Sequence, residues 1–312
     1  MTPRPGAKNP AASVRARLGD IARREGVELQ LLLSEFAIER LLYRLGVSSH
    51  ADRFVLKGAT LFKLWTDERR RATWDLDLLG MGASGVADIV SMVQELCELR
   101  VEDAIEFQTN TIRGEEIRIP DEYAGVRIRL DARLGEARIP IQVDVGFGDA
   151  VMPAPRRETY PTLVEYDAPR ILVYPREAVV AEKLEAMVSL GVTNSRMKDF
   201  YDVHQLSMLT SFDGAVLVRS IRATFERRRI AVPGDEPLAL TAAFLVATAR
   251  QTQWRAFLRR GRLPGPQSVA DLMDELRSFL LPVLKGAAGS DPFTARWPAG
   301  GPWIFDSEGE PA

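Results

Sequence analysis

Asp75 and Asp77 stand two residues apart in the apolar run Trp74-Asp75-Leu76-Asp77-Leu78-Leu79. Residues i and i+2 of an extended strand project to one face. Both carboxylates therefore point the same way from a segment in which Trp74, Leu76, Leu78 and Leu79 ask for burial. Adjacent carboxylates repel, and keeping both ionised at neutral pH requires a counter-charge. A divalent cation supplies it: hard oxygen donors suit Mg²⁺, which in turn grips phosphates. A third carboxylate, Asp144, lies in Ile139-Pro140-Ile141-Gln142-Val143-Asp144-Val145. Alternation in that stretch places Ile139, Ile141, Val143 and Val145 on one face and Gln142 and Asp144 on the other. If this strand lies beside the first, three carboxylates converge. That is enough to hold two metal ions about 3.5–4 Å apart for an in-line phosphoryl or nucleotidyl displacement. Upstream, Lys57-Gly58-Ala59-Thr60 precedes a helical run, Leu61 to Trp65. Glycine there lets backbone N–H groups come close to a phosphate at a helix start.

This order, a Gly-small turn, a helix, an Asp-x-Asp strand and a later strand Asp, resembles the DNA polymerase beta-like nucleotidyltransferase superfamily. The wider context is similar to the AbiEii/AbiGii-type (MenT-like) toxin nucleotidyltransferases of bacterial toxin–antitoxin and phage-defence systems. The resemblance is carried by Phe54 to Thr60, by Arg71-Ala72-Thr73-Trp74-Asp75-Leu76-Asp77-Leu78, and by Val143-Asp144-Val145. It continues through Ala181-Glu182-Lys183-Leu184-Glu185-Ala186 and Arg196-Met197-Lys198-Asp199-Phe200-Tyr201-Asp202-Val203, and spans roughly residues 10 to 210. Two departures stand out. Relatives usually show Gly-Gly-Thr where this chain has Gly58-Ala59-Thr60, and many carry Ser where it has Thr73. Alanine crowds the turn only where position 59 needs positive φ. Thr73 keeps the hydroxyl, for a phosphate contact or for a regulatory phosphorylation of the kind some relatives undergo.

The resemblance implies roles. Asp75, Asp77 and Asp144 hold Mg²⁺, or Mn²⁺ in its place. Lys57, Gly58, Ala59, Thr60 and Thr73 cradle the phosphates of a nucleoside triphosphate. Lys183 supplies fixed positive charge as pyrophosphate leaves; Asp199 borders the nucleotide pocket, and Asp202 assists catalysis there. The acceptor it implies is an RNA 3′ end, the tRNA acceptor stem, so that tRNA modification stops translation and a cognate antitoxin restrains the protein. Read without the resemblance, Lys183 is equally a surface lysine paired with Glu182 or Glu185. Asp199 and Asp202, at i and i+3, are equally charges on one helix face. Two other functions stay open: the same chemistry on a small molecule or a protein, and a catalytically silent module that binds nucleic acid or protein.

Charge distribution bears on the acceptor. The chain carries a net charge of −2, yet Arg196 to Arg262 holds twelve Lys/Arg against six Asp/Glu. Within it lie Arg227, Arg228 and Arg229, and then Arg255, Arg259, Arg260 and Arg262, beside Phe225 and Trp254. Grouped cations neutralise phosphates and steer RNA; solvated helix faces with cation–π contacts are the plainer account. Arg69, Arg70 and Arg71 stand close in sequence to the aspartates, within reach of a triphosphate or an RNA end.

Composition narrows the chemistry further. The 312 residues include one cysteine, Cys97, and two histidines, His50 and His204. An intramolecular disulfide and a cysteine-cluster zinc site are excluded, and a histidine-based nucleophilic triad is disfavoured. No apolar stretch reaches the ~20 residues of a membrane span, and the N-terminus lacks a signal-peptide core. The cytoplasm is the expected compartment, with no membrane partner.

The positioning elements read as an α+β protein, a polymerase-beta-like mixed sheet with flanking helices and a C-terminal helical region. Residues 1–10 read as disordered, 11–174 as the nucleotidyltransferase core with N-terminal helices, 175–285 as a helical domain and 286–312 as a Gly/Pro-rich tail. Helical periodicity covers 11–25, 28–46 and 85–99. Strands are expected near 74–79, 103–109, 115–119, 126–132 and 139–146. Further helices are expected at 176–190, 196–209, 213–229, 237–259 and 268–285, broken by Val232-Pro233-Gly234 and Leu263-Pro264-Gly265-Pro266. Trp297, Trp303 and Phe305 are spaced as anchors for the tail.

Overall fold

The computed structural model describes residues 9–65, 73–82, 84–118, 124–246 and 250–305. The chain divides into two compact units, Met1–Gly148 with Arg156–Val173, and Asp149–Pro155 with Tyr174–Ala312.

The first unit opens with α1 (Pro10–Glu25) and α2 (Leu29–Val47). Asn9 caps α1 by accepting a hydrogen bond from Ala12 N–H, so of the expected disordered stretch only residues 1–8 lie outside the described residues. Then come β1 (Phe54–Lys57), a 3₁₀ turn at Ala59–Leu61, α3 (Phe62–Trp65), β2 (Asp75–Gly80) and α4 (Val86–Glu98). The strands β3 (Glu106–Arg118), β4 (Ala124–Leu134), β5 (Ala137–Phe147), β6 (Arg156–Thr159) and β7 (Arg170–Val173) complete it. They build a seven-stranded mixed sheet in the order β3-β4-β5-β2-β1-β7-β6. β2 runs parallel to β5 and β1 parallel to β7; the other neighbours are antiparallel.

Strict alternation gives this sheet one apolar face. Val126, Ile128 and Leu130 pair with Val145, Val143 and Ile141, which lie level with Leu78 and Leu76 of β2; all are buried. α2 packs on β5 and β7, and α4 on β3. A side chain on Gly114 would strike Val86 and Val90, so its absence lets α4 approach the strand. α2 also carries a buried charge cluster. Asp103 is fully enclosed and accepts from Arg40 Nε at 2.9 Å and from Arg44 at 2.6 and 3.1 Å, fixing the entry to β3.

The structure differs from the sequence reading in its strands. The two strands expected at 103–109 and 115–119 are one, β3. Its register on β4 shifts between Gln108 and Arg113, and Thr111 Oγ1 bridges the irregularity, donating to Gln108 O and accepting from Asp131 N–H. β1, β6 and β7, four residues each, were not anticipated. Trp74, expected to be buried, is 44% exposed, because it precedes the first paired residue of β2 and is not held against the apolar face.

The second unit is mainly helical: α5 (Arg176–Leu190), α6 (Met197–Leu209), α7 (Gly214–Arg228), α8 (Ala242–Val246), α9 (Arg250–Gly261) and α10 (Val269–Ala288). Of the helix expected at 237–259, Leu238–Leu240 is a 3₁₀ turn and residues 247–249 lie outside the described residues. α6 is buried along most of its length among α5, α9 and α10. β8 (Phe212–Asp213), β9 (Ala295–Trp297) and β10 (Ile304–Phe305) form a small antiparallel sheet in the order β10-β9-β8. Trp297 and Trp303 anchor the tail as expected, their indole N–H groups donating to Ser207 O and Phe279 O. Phe305 is 60% exposed and meets Phe293 edge-on, ring centroids 5.7 Å apart.

Candidate active site

On the face of the first sheet opposite the core, the parallel register of β2 on β5 sets Asp77 level with Asp144 and Asp75 level with Gln142. Residues level in neighbouring strands share a face, and so do i and i+2. All three aspartates therefore emerge on one polar surface, half-buried, while Leu76, Leu78, Val143 and Val145 fill the core beneath.

Each carboxylate is positioned by its neighbours. Asp77 lies over Gly58, where a Cβ would sit 2.0 Å from Asp77 Oδ2. Gly58 has φ 76° and ψ −159°, a region essentially reserved for glycine. The residue at 58 must therefore lack a side chain for two independent reasons. Ala59 opens the 3₁₀ turn and is absent from the residues of positive φ, so its methyl costs the turn nothing. Thr60 and Thr73 both direct their hydroxyls to Asp75 O, at 3.5 and 3.2 Å, tying the turn to the start of β2. The buried Tyr160 donates to Thr60 O at 3.4 Å. Lys57 is level with Asp77 across the β1–β2 pair.

Asp144 is held differently. Arg127, level with it on β4, donates from Nε and Nη2 to its two oxygens at 2.8 and 2.7 Å, and Gln142 Nε2 adds a bond of 3.3 Å. These bonds raise the Arg127 pKa above its ordinary value, with Asp75 contributing charge from nearby. Sequence reasoning passed over Arg127, although the alternation Val126-Arg127-Ile128-Arg129-Leu130 places Arg127 and Arg129 on the polar face. For a divalent cation, Asp75 and Asp77 are the fitting pair, hard donors on one face. Among the described residues no three His, Cys, Asp or Glu side chains gather on one point. The three aspartates share one face, and there Arg127 engages Asp144 from β4.

In the second unit Lys183 of α5 reaches Asp199 Oδ1 at 2.7 Å and Asp202 Oδ2 at 3.0 Å on α6, with 18% of its side chain exposed. Its partners are thus not Glu182 or Glu185, the pairing offered by the plainer alternative. Burial pulls the Lys183 pKa down, but Asp202 and Asp199 outweigh it and hold it above the usual lysine value. Burial pushes Asp199 up, and Lys183 more than reverses that. Of the basic clusters, Arg228 turns onto Glu185 at 3.0 Å, so its guanidinium serves the packing of α7. Arg229 ends α7 in the left-handed region and is exposed, as are Arg255 and Arg259; Arg227 is half-buried. Arg69, Arg70 and Arg71 lie outside the described residues.

Burial governs two further titratable groups, Cys97 and His204. Burial pushes the Cys97 thiol up to about 12, leaving no thiolate at neutral pH. Burial lowers the His204 pKa despite its bond to Glu275. No helix of the described residues is long and apolar enough to cross a membrane.

No curated protein matches the chain. Two solved structures from Helicobacter pylori are similar. JHP933 has 15% identity and a TM-score of 0.40, covering 75% of this chain and 95% of its own. A second, provisionally named a nucleotidyltransferase, has 13% identity and a TM-score of 0.42, covering 84% and 94%. The family model described as "Nucleotidyl transferase AbiEii toxin, Type IV TA system" matches residues 40–275, a span containing every carboxylate described above. The chain thus belongs to the AbiEii family of nucleotidyltransferase toxins from type IV toxin–antitoxin systems.

Proposed function

We propose that this nucleotidyltransferase transfers nucleotides from a nucleoside triphosphate to an RNA 3′ end, the tRNA acceptor stem, and so blocks translation. The observation that carries the proposal is the register of Asp77 on Asp144, with Asp75 two residues earlier on the same face. A divalent cation, Mg²⁺ or Mn²⁺, bound by Asp75 and Asp77 would draw charge from the triphosphate oxygens. Gly58, with no side chain, leaves room for backbone N–H groups to approach those phosphates. Asp144, oriented by Arg127, accepts the proton of the attacking 3′ hydroxyl. That oxygen bonds to the α-phosphorus, the α–β anhydride bond breaks, and pyrophosphate departs with the electron pair. Lys183 is assigned to phosphate charge, Asp199 and Asp202 to its support, and Arg227, Arg229, Arg255 and Arg259 to the RNA backbone. Positioning and charge carry the rate. A cognate antitoxin is the implied partner.

The test is incorporation of label from each of the four nucleoside triphosphates into tRNA with Mg²⁺, by the intact chain and by Asp75→Asn. Transfer by the former and none by the latter is expected. No transfer to any RNA by the intact chain would overturn the proposal. Label appearing only on a small molecule or protein would move the acceptor class.

A further inference from the structure

Beside Asp75, on its β4–β5 side, the first unit has a cleft of about 400 Å³ whose lining includes Trp74, Asp75, Arg129, Asp131, Arg138 and Gln142. The volume is within the roughly 300–1,000 Å³ of small-ligand sites. Trp74 is 44% exposed there, although an indole this close to a sheet gains by burial. An indole at the wall of a polar cleft is a stacking surface for a planar ring. Among the described residues, Arg129 pairs with Glu115 at 2.7 Å and Arg138 with Asp131 at 2.8 Å, and both arginines are exposed, with 54% and 71% of their side chains open to solvent. Such pairs are weak and exchange readily for a phosphate, which guanidinium recognises through paired hydrogen bonds. When Arg138 moves to a phosphate, the better-buried Asp131 is left to accept from an exocyclic amine. A flat aromatic wall, cationic groups at the rim and hydrogen-bonding groups inside together describe a nucleotide.

From this we infer that the cleft receives the terminal nucleotide of the single-stranded acceptor RNA, its base on Trp74 and its sugar hydroxyl toward Asp75 and Gln142, whose amide touches the general base Asp144 at 3.3 Å. The inference rests on the function proposed above and adds where the acceptor sits. Topology separates acceptor from donor. Asp77 lies against the Gly58 turn on the β1 side, while the cleft opens on the β4–β5 side of Asp75. An in-line displacement brings the attacking oxygen and the leaving group to opposite sides of the phosphorus. A triphosphate at the Gly58 turn is therefore attacked from the cleft.

The test measures binding without chemistry, using the full chain, a short 5′-labelled single-stranded RNA with a free 3′ hydroxyl, and fluorescence anisotropy. Trp74→Ala should weaken RNA binding by roughly 5- to 150-fold, the range of one lost base stack. Trp74→Phe should retain most of the affinity, and Arg138→Gln should weaken binding with a smaller salt dependence. All three should bind a non-hydrolysable nucleoside triphosphate as the parent does. Unchanged RNA affinity in Trp74→Ala, no RNA binding by the parent, or loss of triphosphate binding in its place would each overturn the inference. Label transfer assayed in parallel separates the two claims. Transfer by the parent with Trp74→Ala binding intact removes the cleft alone. No transfer, with binding lost in Trp74→Ala, removes the reaction and leaves the cleft.

Discussion

Arg127 and Asp144 face each other across β4 and β5 and share two hydrogen bonds, 2.8 and 2.7 Å long, that engage both carboxylate oxygens. A fork on a carboxylate fixes its plane as well as its place. Arg127→Gln frees the Asp144 side chain to rotate while leaving the sheet pairing intact. Transfer should fall about 10- to 100-fold, the usual effect of a lost positioning group. Stability should change by less than about 1 kcal/mol, since the arginine of the pair is partly open to solvent. Initial-rate assays alongside urea unfolding measure both, and a stable variant with full activity would remove Arg127 from the site.

Gly58 provides a sharper contrast with its neighbour. In Gly58→Ala the new methyl meets Asp77 at 2.0 Å, and the backbone must leave φ 76° or bear strain of about 1–3 kcal/mol. Asp77 is displaced either way. Thermal unfolding should shift down modestly while transfer is lost almost entirely. Ala59→Gly, at a position of ordinary φ, should leave transfer near the parent level.

Glu39 makes stability depend on pH. Buried on α2, it accepts from Leu163 N–H at 2.7 Å, while among the described residues its Oε1 has no hydrogen-bond partner and lies 3.7 Å from Arg40 Nη1. Burial raises its pKa from 4.5 to about 7, against the opposing Leu163 bond and the Arg40 charge. A carboxyl raised in the folded state stabilises fully below the unfolded value and loses that contribution as pH rises through the folded one. Its contribution should therefore disappear between pH 4.5 and about 7, by an amount on the order of 3 kcal/mol. Glu39→Gln should flatten this part of the profile and be the more stable form above pH 7. Denaturant unfolding across the window reads the difference directly, and parallel profiles would refute the assignment.

How much of this was legible in the residues varies with the range of the interaction. Alternation in Ile139–Val145 and the Asp-x-Asp spacing foretold which faces the aspartates take, because strand geometry is local. What joins Asp77 to Asp144 is pairing between β2 and β5, and only the fold supplies that register. β1, β6 and β7 escaped notice because four residues carry too little periodicity. β3 was read as two strands because a local pattern cannot register that Thr111 bridges the irregularity. Trp74 was expected in the core from its type, yet one position before the first paired residue suffices to leave it exposed. The partners of Lys183 were missed for a similar reason: Glu182 and Glu185 are near in the chain, whereas Asp199 and Asp202 are near in space.

Those partners make Lys183 the position where packing and chemistry have to be separated. Lys183→Met removes the cation that Asp199 and Asp202, both buried on one helix face, contact in common. Removing one partner of a buried ionic cluster costs about 3–5 kcal/mol. Because Lys183 holds Asp199 below its ordinary 3.8, the pair's stabilisation is present above that pH and is lost as pH falls below it. Loss of transfer in Lys183→Met alone would therefore report unfolding as readily as a missing phosphate contact. Adding Asp199→Asn removes the like-charge repulsion and should recover about half of the lost stability. If Lys183 only clamps α5 to α6, transfer should recover in step. If it neutralises nucleotide phosphates, the double variant should regain that stability over Lys183→Met yet transfer at least 100-fold more slowly than the parent, with a raised KM for the nucleoside triphosphate. Unfolding midpoints and steady-state kinetics on the same preparations distinguish the two.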